Sequence, residues 1–97
     1  MPETDSAVHL DDVLLLATGA KLKYDAVRDS DFLLLPERVV KLNKSAASIL
    51  YLIDGKRTVR DIARMLSQGF ETSDNKSIEN DVLEFMSDFK HRGWLRS

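Results

Sequence analysis

The sequence predicts an α+β fold of winged-helix-like order, in which a three-stranded antiparallel sheet is followed by three helices. Two observations support this prediction. Short alternating, apolar or β-branched runs, separated by turn residues, occupy residues 21–43. Beyond that point, apolar residues recur at helical spacing between capping residues and glycines. The order of the two patterns indicates strands first and helices second.

Three segments are predicted as strands, 21–25, 31–35 and 39–43. The first alternates polar and apolar residues, which predicts that Leu22 and Tyr24 face the core. Pro36 starts a tight turn between the second and third segments, because its fixed φ suits the second position of a type I turn. The third segment comes last in this meander, so it is predicted to lie at an edge of the sheet.

The first two helices have recognisable starts. Asn43 and Ser45 are alternative N-caps for a helix that begins near Ala46. Thr58 and Asp61 resemble a capping box, with aspartate in place of glutamate, at the start of the second helix. We expect Gly69 to close that helix and a polar connection to follow at 70–76.

The last helix is predicted from about Ser77 to Arg92, with Gly93 ending it. Its core stripe consists of Ile78, Val82, Phe85 and Phe89. Leu83 and Met86 form a second apolar stripe, offset to one side. This second stripe fits either a surface that receives a partner or plain core.

Residues 1–17 are predicted to be an N-terminal arm or linker, and residues 18–97 one domain. The stretch 10–17 is apolar enough to pack against the domain. Its spacing fits a short helix ended by Gly19, and an extended, docked arm fits equally well.

Composition argues against an enzyme. The 97 residues include no cysteine, which excludes disulfides, thiolate zinc sites, cysteine-ligated iron–sulfur clusters and a cysteine nucleophile. His9 and His91 lack carboxylate neighbours at metal-ligand spacing. We therefore expect no catalytic residue, cofactor or metal. With no signal-peptide pattern and no long apolar run, we expect a cytoplasmic protein without membrane contact.

A DNA-binding regulator of the winged-helix class is the alternative function. Residues 58–66 resemble the first helix of a helix-turn-helix, which needs a recognition helix with basic or amide side chains shortly afterwards. Here Asp74, Glu79 and Asp81 follow instead, and the net charge is −2. Nucleic acid is therefore not the expected partner.

Peptide capture is the function that the predicted edge strand favours. An edge strand exposes unpaired backbone groups, so an extended peptide can add to residues 39–43 as a further strand. A second copy of the chain can add in the same way, which makes a homodimer one expectation. Leu83 and Met86 are candidates for the wall beside such a peptide, since methionine adapts to different side chains.

Five motifs lie in order along residues 18–95: TGxKLxYD at 18–25, LLLPE at 33–37, VKLNxSAxxIL at 40–50, DGxRTVxxI at 54–62 and RGWL at 92–95. In these motifs and their spacing the chain resembles the PqqD family, the pyrroloquinoline quinone (PQQ) biosynthesis protein D. The resemblance implies three strands followed by three helices and a non-enzymatic peptide chaperone. Such a chaperone binds the precursor peptide PqqA and presents it to PqqE, a radical S-adenosylmethionine enzyme that crosslinks a glutamate and a tyrosine. Members of the family also occur fused behind the oxidase PqqC.

The resemblance also implies a site. Related peptide-recognition elements take the peptide as an additional strand beside the third strand, in a groove against the last helix. Carried over to this sequence, the predicted peptide-binding residues are Val39, Val40, Lys41, Leu42, Asn43, Asp81, Val82, Leu83, Phe85, Met86, Phe89 and Lys90.

Overall fold

The computed structural model describes residues 8–68 and 75–97. Within these residues the strands are β1 (Leu15–Leu16), β2 (Lys21–Asp25), β3 (Ser30–Leu34), β4 (Val39–Leu42) and β5 (Leu95–Arg96). The helices are α1 (Lys44–Tyr51), α2 (Val59–Ser67) and α3 (Asn75–His91). Gly69, the predicted end of α2, and most of the predicted connection lie outside the described residues.

The main sheet has the order β2-β3-β4, and both of its pairings are antiparallel. This is the predicted meander, with each strand within one residue of its predicted bounds. The Leu35 N–H donates to the Arg38 carbonyl oxygen at 2.9 Å, which closes the turn that Pro36 begins. Because β3 lies in the middle, β4 is an edge strand, as predicted.

One face of this sheet covers the core and the other does not. Leu33 and Leu42 are buried on the inner face, and Leu22 packs against the same core. Tyr24 projects to that face, as predicted, but it is 51% exposed and therefore lies outside the core. It lies towards the far end of the sheet, where its hydroxyl donates to the Asp29 carboxylate at 2.6 Å.

The starts of α1 and α2 are fixed by side-chain caps. Asn43 is the N-cap of α1, since its Oδ1 accepts the Ala46 N–H at 2.7 Å, while Ser45 lies inside the helix. The capping box between Thr58 and Asp61 is confirmed, with both hydrogen bonds at 3.1 Å. The Asn43 cap ties the end of β4 directly to α1 and thereby holds the edge strand in place.

Helix α3 packs mainly against α2 and β5. Gly93 ends it with φ +86°, a left-handed conformation that favours glycine. The Trp94 N–H then donates to the Phe89 carbonyl at 3.0 Å, and the two rings meet edge to face at 5.0 Å. Trp94 therefore folds back on the helix, as the glycine stop predicts.

From Val8 onward, the N-terminal arm is extended and docked, which decides between the two alternatives for residues 10–17. Val13 bridges to Thr58, and β1 pairs antiparallel with β5. Val8 and Leu14 are buried in the same core as the sheet and helices. The division of the chain at residue 17 stays a prediction. In the part of the chain that the structure describes, no helix has the length and apolar character needed to cross a bilayer.

Candidate functional site

The open edge of β4 presents backbone groups from alternate residues. Leu35 and Arg38 exchange backbone hydrogen bonds, so the alternation of an antiparallel ladder makes Val40 and Leu42 the hydrogen-bonded partners within the sheet. The N–H and C=O groups of Val39 and Lys41 then point away from β3. These two residues are where an added strand forms its backbone hydrogen bonds.

A cleft of about 390 Å³ lies where β4 leads into α1. It is lined by Lys44, Ser45, Ser48 and Ile49 from α1, Leu66 from α2, and Ile78, Asp81 and Val82 from α3. Ile49 and Val82 are buried and form an apolar floor, whereas the four polar side chains are exposed at the rim. A ligand that has an apolar side chain between polar neighbours fits this combination of an apolar floor and a polar rim.

The flank of α3 that faces the cleft continues as an aromatic stripe. Ile78 and Val82 line the cleft, and Phe85 and Phe89 follow them at helical spacing on the same side of the helix. The Phe85 and Phe89 rings stack with their centroids 4.2 Å apart. Both rings are partly buried, so a partner in the cleft can extend along them towards Trp94.

The prediction that Met86 forms part of a peptide-binding wall is wrong, whereas the predicted role of Leu83 stays a prediction. Met86 is 0% exposed and belongs to the core. Leu83 lies one turn from Glu79, which lines a small cavity with α2 residues, and one turn from Ser87, which bonds the N-terminal arm. Leu83 therefore faces α2 and the arm, on the flank away from the cleft. Lys90 follows Met86 by one turn and shares that flank.

The backbone groups and the side chains of the predicted strand residues, 39–43, have different roles at the edge. Val40 and Leu42 direct their side chains towards the core, so these side chains are not at the edge. Val39 and Lys41 are exposed, with side chains on the outer face of the sheet. The Asn43 side chain is occupied as the cap of α1. What β4 offers at the edge is backbone, and the side-chain part of the predicted site is corrected accordingly.

Sequence reasoning missed the contribution of α1 to the cleft. Ser45 and Ser48 are exposed, three positions apart, and therefore lie on one side of the helix. Their small side chains leave the space that the cleft occupies. The available signal was this pair of short hydroxyl residues shortly after an edge strand, of which only Ser45 was considered, as an N-cap.

The described residues hold no cluster of His, Cys, Asp or Glu suited to a metal ion. Within the described residues, the pKa values of the Asp54 and Asp61 carboxyls are lowered, and backbone N–H groups of the adjacent turns are the main cause in both. These two residues organise turns at α1 and α2 rather than the cleft. The arrangement around β4 is suited to binding an extended chain.

Comparison with known proteins agrees with the motifs. The family model described as "Coenzyme PQQ synthesis protein D (PqqD)" matches residues 32–95. The chain belongs to the PqqD family. The resemblance inferred from the motifs is thus confirmed, and the matched region contains β4, the cleft and all of α3.

Curated members of the PqqD family are similar over most of the chain. A protein of Azotobacter vinelandii named PqqA binding protein is 39% identical over 90 residues, which cover 93% of this chain and 96% of that protein. The bifunctional coenzyme PQQ synthesis protein C/D of Methylorubrum extorquens is 40% identical over 76 residues, 78% of this chain and 20% of that protein. In the second relative, a PqqD-like segment is therefore part of a longer chain.

Solved PqqD structures share the fold. The solution structure of the PqqD part of Methylobacterium extorquens PqqCD, described as a recognition element for ribosomally synthesised and modified peptides, gives a TM-score of 0.81 at 35% identity. The match covers 95% of this chain and 97% of that one. The crystal structure of PqqD from Xanthomonas campestris gives 0.57 at 33% identity, covering 93% and 99%.

Proposed function

We propose that this chain is a non-enzymatic peptide chaperone of PQQ biosynthesis. It binds the precursor peptide PqqA and presents it to the radical S-adenosylmethionine enzyme PqqE for crosslinking of a glutamate and a tyrosine. The single observation that carries the proposal is the open edge of β4, which leads through Asn43 into the α1 residues that line an apolar cleft. The names of its relatives, PqqA binding protein among them, support the choice of peptide.

The geometry suggests how the peptide binds. Its backbone pairs with the outward N–H and C=O groups of Val39 and Lys41 as a fourth strand. Because strand side chains alternate between faces, every second peptide residue points to the side of the sheet that carries the cleft. Those residues rest on Ile49 and Val82, and the chain continues along Phe85 and Phe89.

The proposal extends to setting and partners. Residues 18–97 are the peptide-recognition unit, and residues before them serve as an arm that in fused relatives can connect to PqqC. The chain acts in the cytoplasm, where ribosomal peptides are made. Without PqqA, the free β4 edge is also the place where two copies pair into a homodimer.

An amide NMR titration with synthetic PqqA tests the proposal. We expect shifts at residues 39–49 and 78–89, with the β2–β3 turn at 26–29 unchanged. A PqqA peptide of the same composition but scrambled order is the control and should leave the spectrum unaltered. Shifts confined to α2 and the arm, or none at all, contradict the proposed site.

A further inference from the structure

The outer face of the main sheet has a defined pattern. In the strand register, Phe32 is paired with Lys23 on one side and Lys41 on the other. Leu34 is likewise paired with Lys21 and Val39. Directly paired residues project to the same face of a sheet. These six residues, Lys21, Lys23, Phe32, Leu34, Val39 and Lys41, form a basic–apolar face.

No described element covers this face. The core residues of β3 and β4 lie on the opposite side, which is also where α1 packs. Phe32 and Leu34 are partly buried, yet neither is among the described residues that form or contact the core. Val39 is 62% exposed.

No described ion pair neutralises the lysines of this face. Asp25 projects to the same face from the end of β2, but its carboxylate accepts the N–H groups of Val27 and Arg28 in the adjacent turn. Lys21, Lys23 and Lys41 are all exposed. Within residues 8–68 and 75–97, the ion pairs use Arg28, Arg57, Arg60, Arg92 and His9 as cations, and no lysine. The whole chain carries a net charge of −2, so this face is a local positive region on an acidic protein.

We propose that the basic–apolar face is a docking surface for a protein that presents carboxylates around an apolar patch, and that this protein is the enzyme receiving the peptide. The inference rests on the proposed function. Three lysines around apolar side chains match such a surface in both charge and polarity, which steers encounter and excludes wrong partners.

Other occupants fit less well. Two copies meeting symmetrically through this face place lysines opposite lysines, which is unfavourable. Three lysines near an anionic membrane contribute only about 1 kcal/mol each. A nucleic acid needs a larger basic surface than three lysines on an acidic chain. A folded protein with complementary carboxylates remains as the occupant.

The face is also continuous with the proposed peptide. A peptide strand added beyond β4 places its remaining alternate side chains on the outer face, beside Val39 and Lys41. A protein that docks there contacts the chaperone and the peptide at once. The outer face thus distinguishes the peptide-bound chaperone from either component alone.

The test uses the double charge reversal Lys21→Glu/Lys23→Glu, because both residues lie on β2, away from the peptide edge. Lys56→Glu/Arg64→Glu is the matched control, with the same change in net charge at exposed positions elsewhere. Binding to PqqA and to PqqE, with and without PqqA, is measured by titration calorimetry. Thermal melting checks that both variants are folded.

We expect the β2 variant to bind PqqA within about twofold of wild type and PqqE at least about tenfold more weakly. The control variant should retain both affinities. Equal PqqE binding by wild type and the β2 variant overturns the inference but not the proposed function. No PqqE binding by wild type, with or without PqqA, overturns the inference and also the presentation step of the proposed function, whereas PqqA binding is tested separately. Loss of PqqA binding in the folded β2 variant also overturns the inference, because the lysines then serve the peptide.

Two further measurements separate the other classes of partner. Vesicles of phosphatidylcholine and phosphatidylserine, and a random duplex DNA, are titrated with the wild type and the β2 variant. Binding to either that depends on Lys21 and Lys23, with unaltered PqqE affinity, overturns the inference. If wild type fails to bind PqqA in the same calorimeter, the proposed function itself fails.

Discussion

Val8 and Ser87 are joined by a hydrogen bond of 3.1 Å from the Val8 N–H to the Ser87 hydroxyl oxygen, across 79 positions of the chain. Val8 is buried, so the arm occupies this flank of α3. Leu83 lies one turn before Ser87 on the same flank. The long helix therefore has two working sides, one that packs with the arm and α2 and one that lines the cleft.

We expect Leu83→Asp to destabilise the fold by roughly 1–3 kcal/mol, because it places a carboxylate in a partly buried apolar contact. The folded fraction should still bind PqqA within about twofold of wild type. Urea denaturation followed by circular dichroism gives the stability, and calorimetry gives the affinity. If the Leu83→Asp variant is as stable as wild type but no longer binds PqqA, Leu83 belongs to the binding site.

Lys41→Pro should abolish PqqA binding while the domain stays folded. The Lys41 N–H points to the open edge, so proline removes a donor that only the peptide uses. Val40→Pro is the matched control: it deletes a donor within the sheet and should unfold the domain. Circular dichroism and calorimetry on both variants check this. Normal peptide binding by folded Lys41→Pro rules out the proposed strand pairing.

Ser48→Tyr should weaken PqqA binding at least about tenfold, because a large ring at this exposed position occupies the cleft. Ser48→Ala keeps the cleft open and removes only the hydroxyl, which donates to the Lys44 carbonyl at 2.9 Å. This control should bind as wild type does. Fluorescence anisotropy of labelled PqqA measures the affinity of each variant and of wild type. Unaltered binding by Ser48→Tyr shows that the peptide avoids the cleft.

Stability should decline in acid. The Thr58 N–H, followed by the Thr58 hydroxyl, holds the pKa of Asp61 below its ordinary value, and the N–H groups of Arg57 and Lys56 do the same for Asp54. A carboxyl whose folded-state pKa is lowered stabilises the fold above its unfolded-state pKa. That stabilisation is lost as the pH falls from about 4 through the folded-state value.

The melting temperature measured between about pH 5 and pH 2.5 tests this acid dependence. Wild type should lose stability over that interval, and Asp61→Asn should show a shallower decline from a lower starting value. A melting curve of wild type that does not change with pH contradicts the assigned role of these carboxyls.

Local signals sufficed for most of the fold. Pro36 predicts the turn, the β-branched start of β4 predicts a strand, and the Thr58–Asp61 box predicts the start of α2, because each depends only on nearby residues. Tyr24 is the exception on the sheet. The alternation of polar and apolar residues predicts correctly which face of the sheet carries Tyr24, but it does not predict how far along the strand the core extends. The sequence did not decide whether the arm is a short helix or an extended segment, because the spacing of its apolar residues fits both.

The side chains of the site were harder to predict, because α3 is apolar on two flanks. Periodicity identifies both stripes but not which element lies against each. That depends on where the arm and α2 pack, and the contact between Val8 and Ser87 joins the two ends of the chain. The DNA-binding alternative gains no support. Glu79, at the start of α3, lines a small cavity with residues of α2. The family model that matches the chain is PqqD.

The shortness of β4 determines how long a peptide can stay. Only Val39 and Lys41 offer outward backbone groups, and each hydrogen bond contributes about 0.5–1.5 kcal/mol net. So short a ladder opens readily, and the lifetime of the complex then depends on the side chain in the cleft. On the proposed mode of binding, such a carrier releases its peptide quickly once the side chains in the cleft are withdrawn.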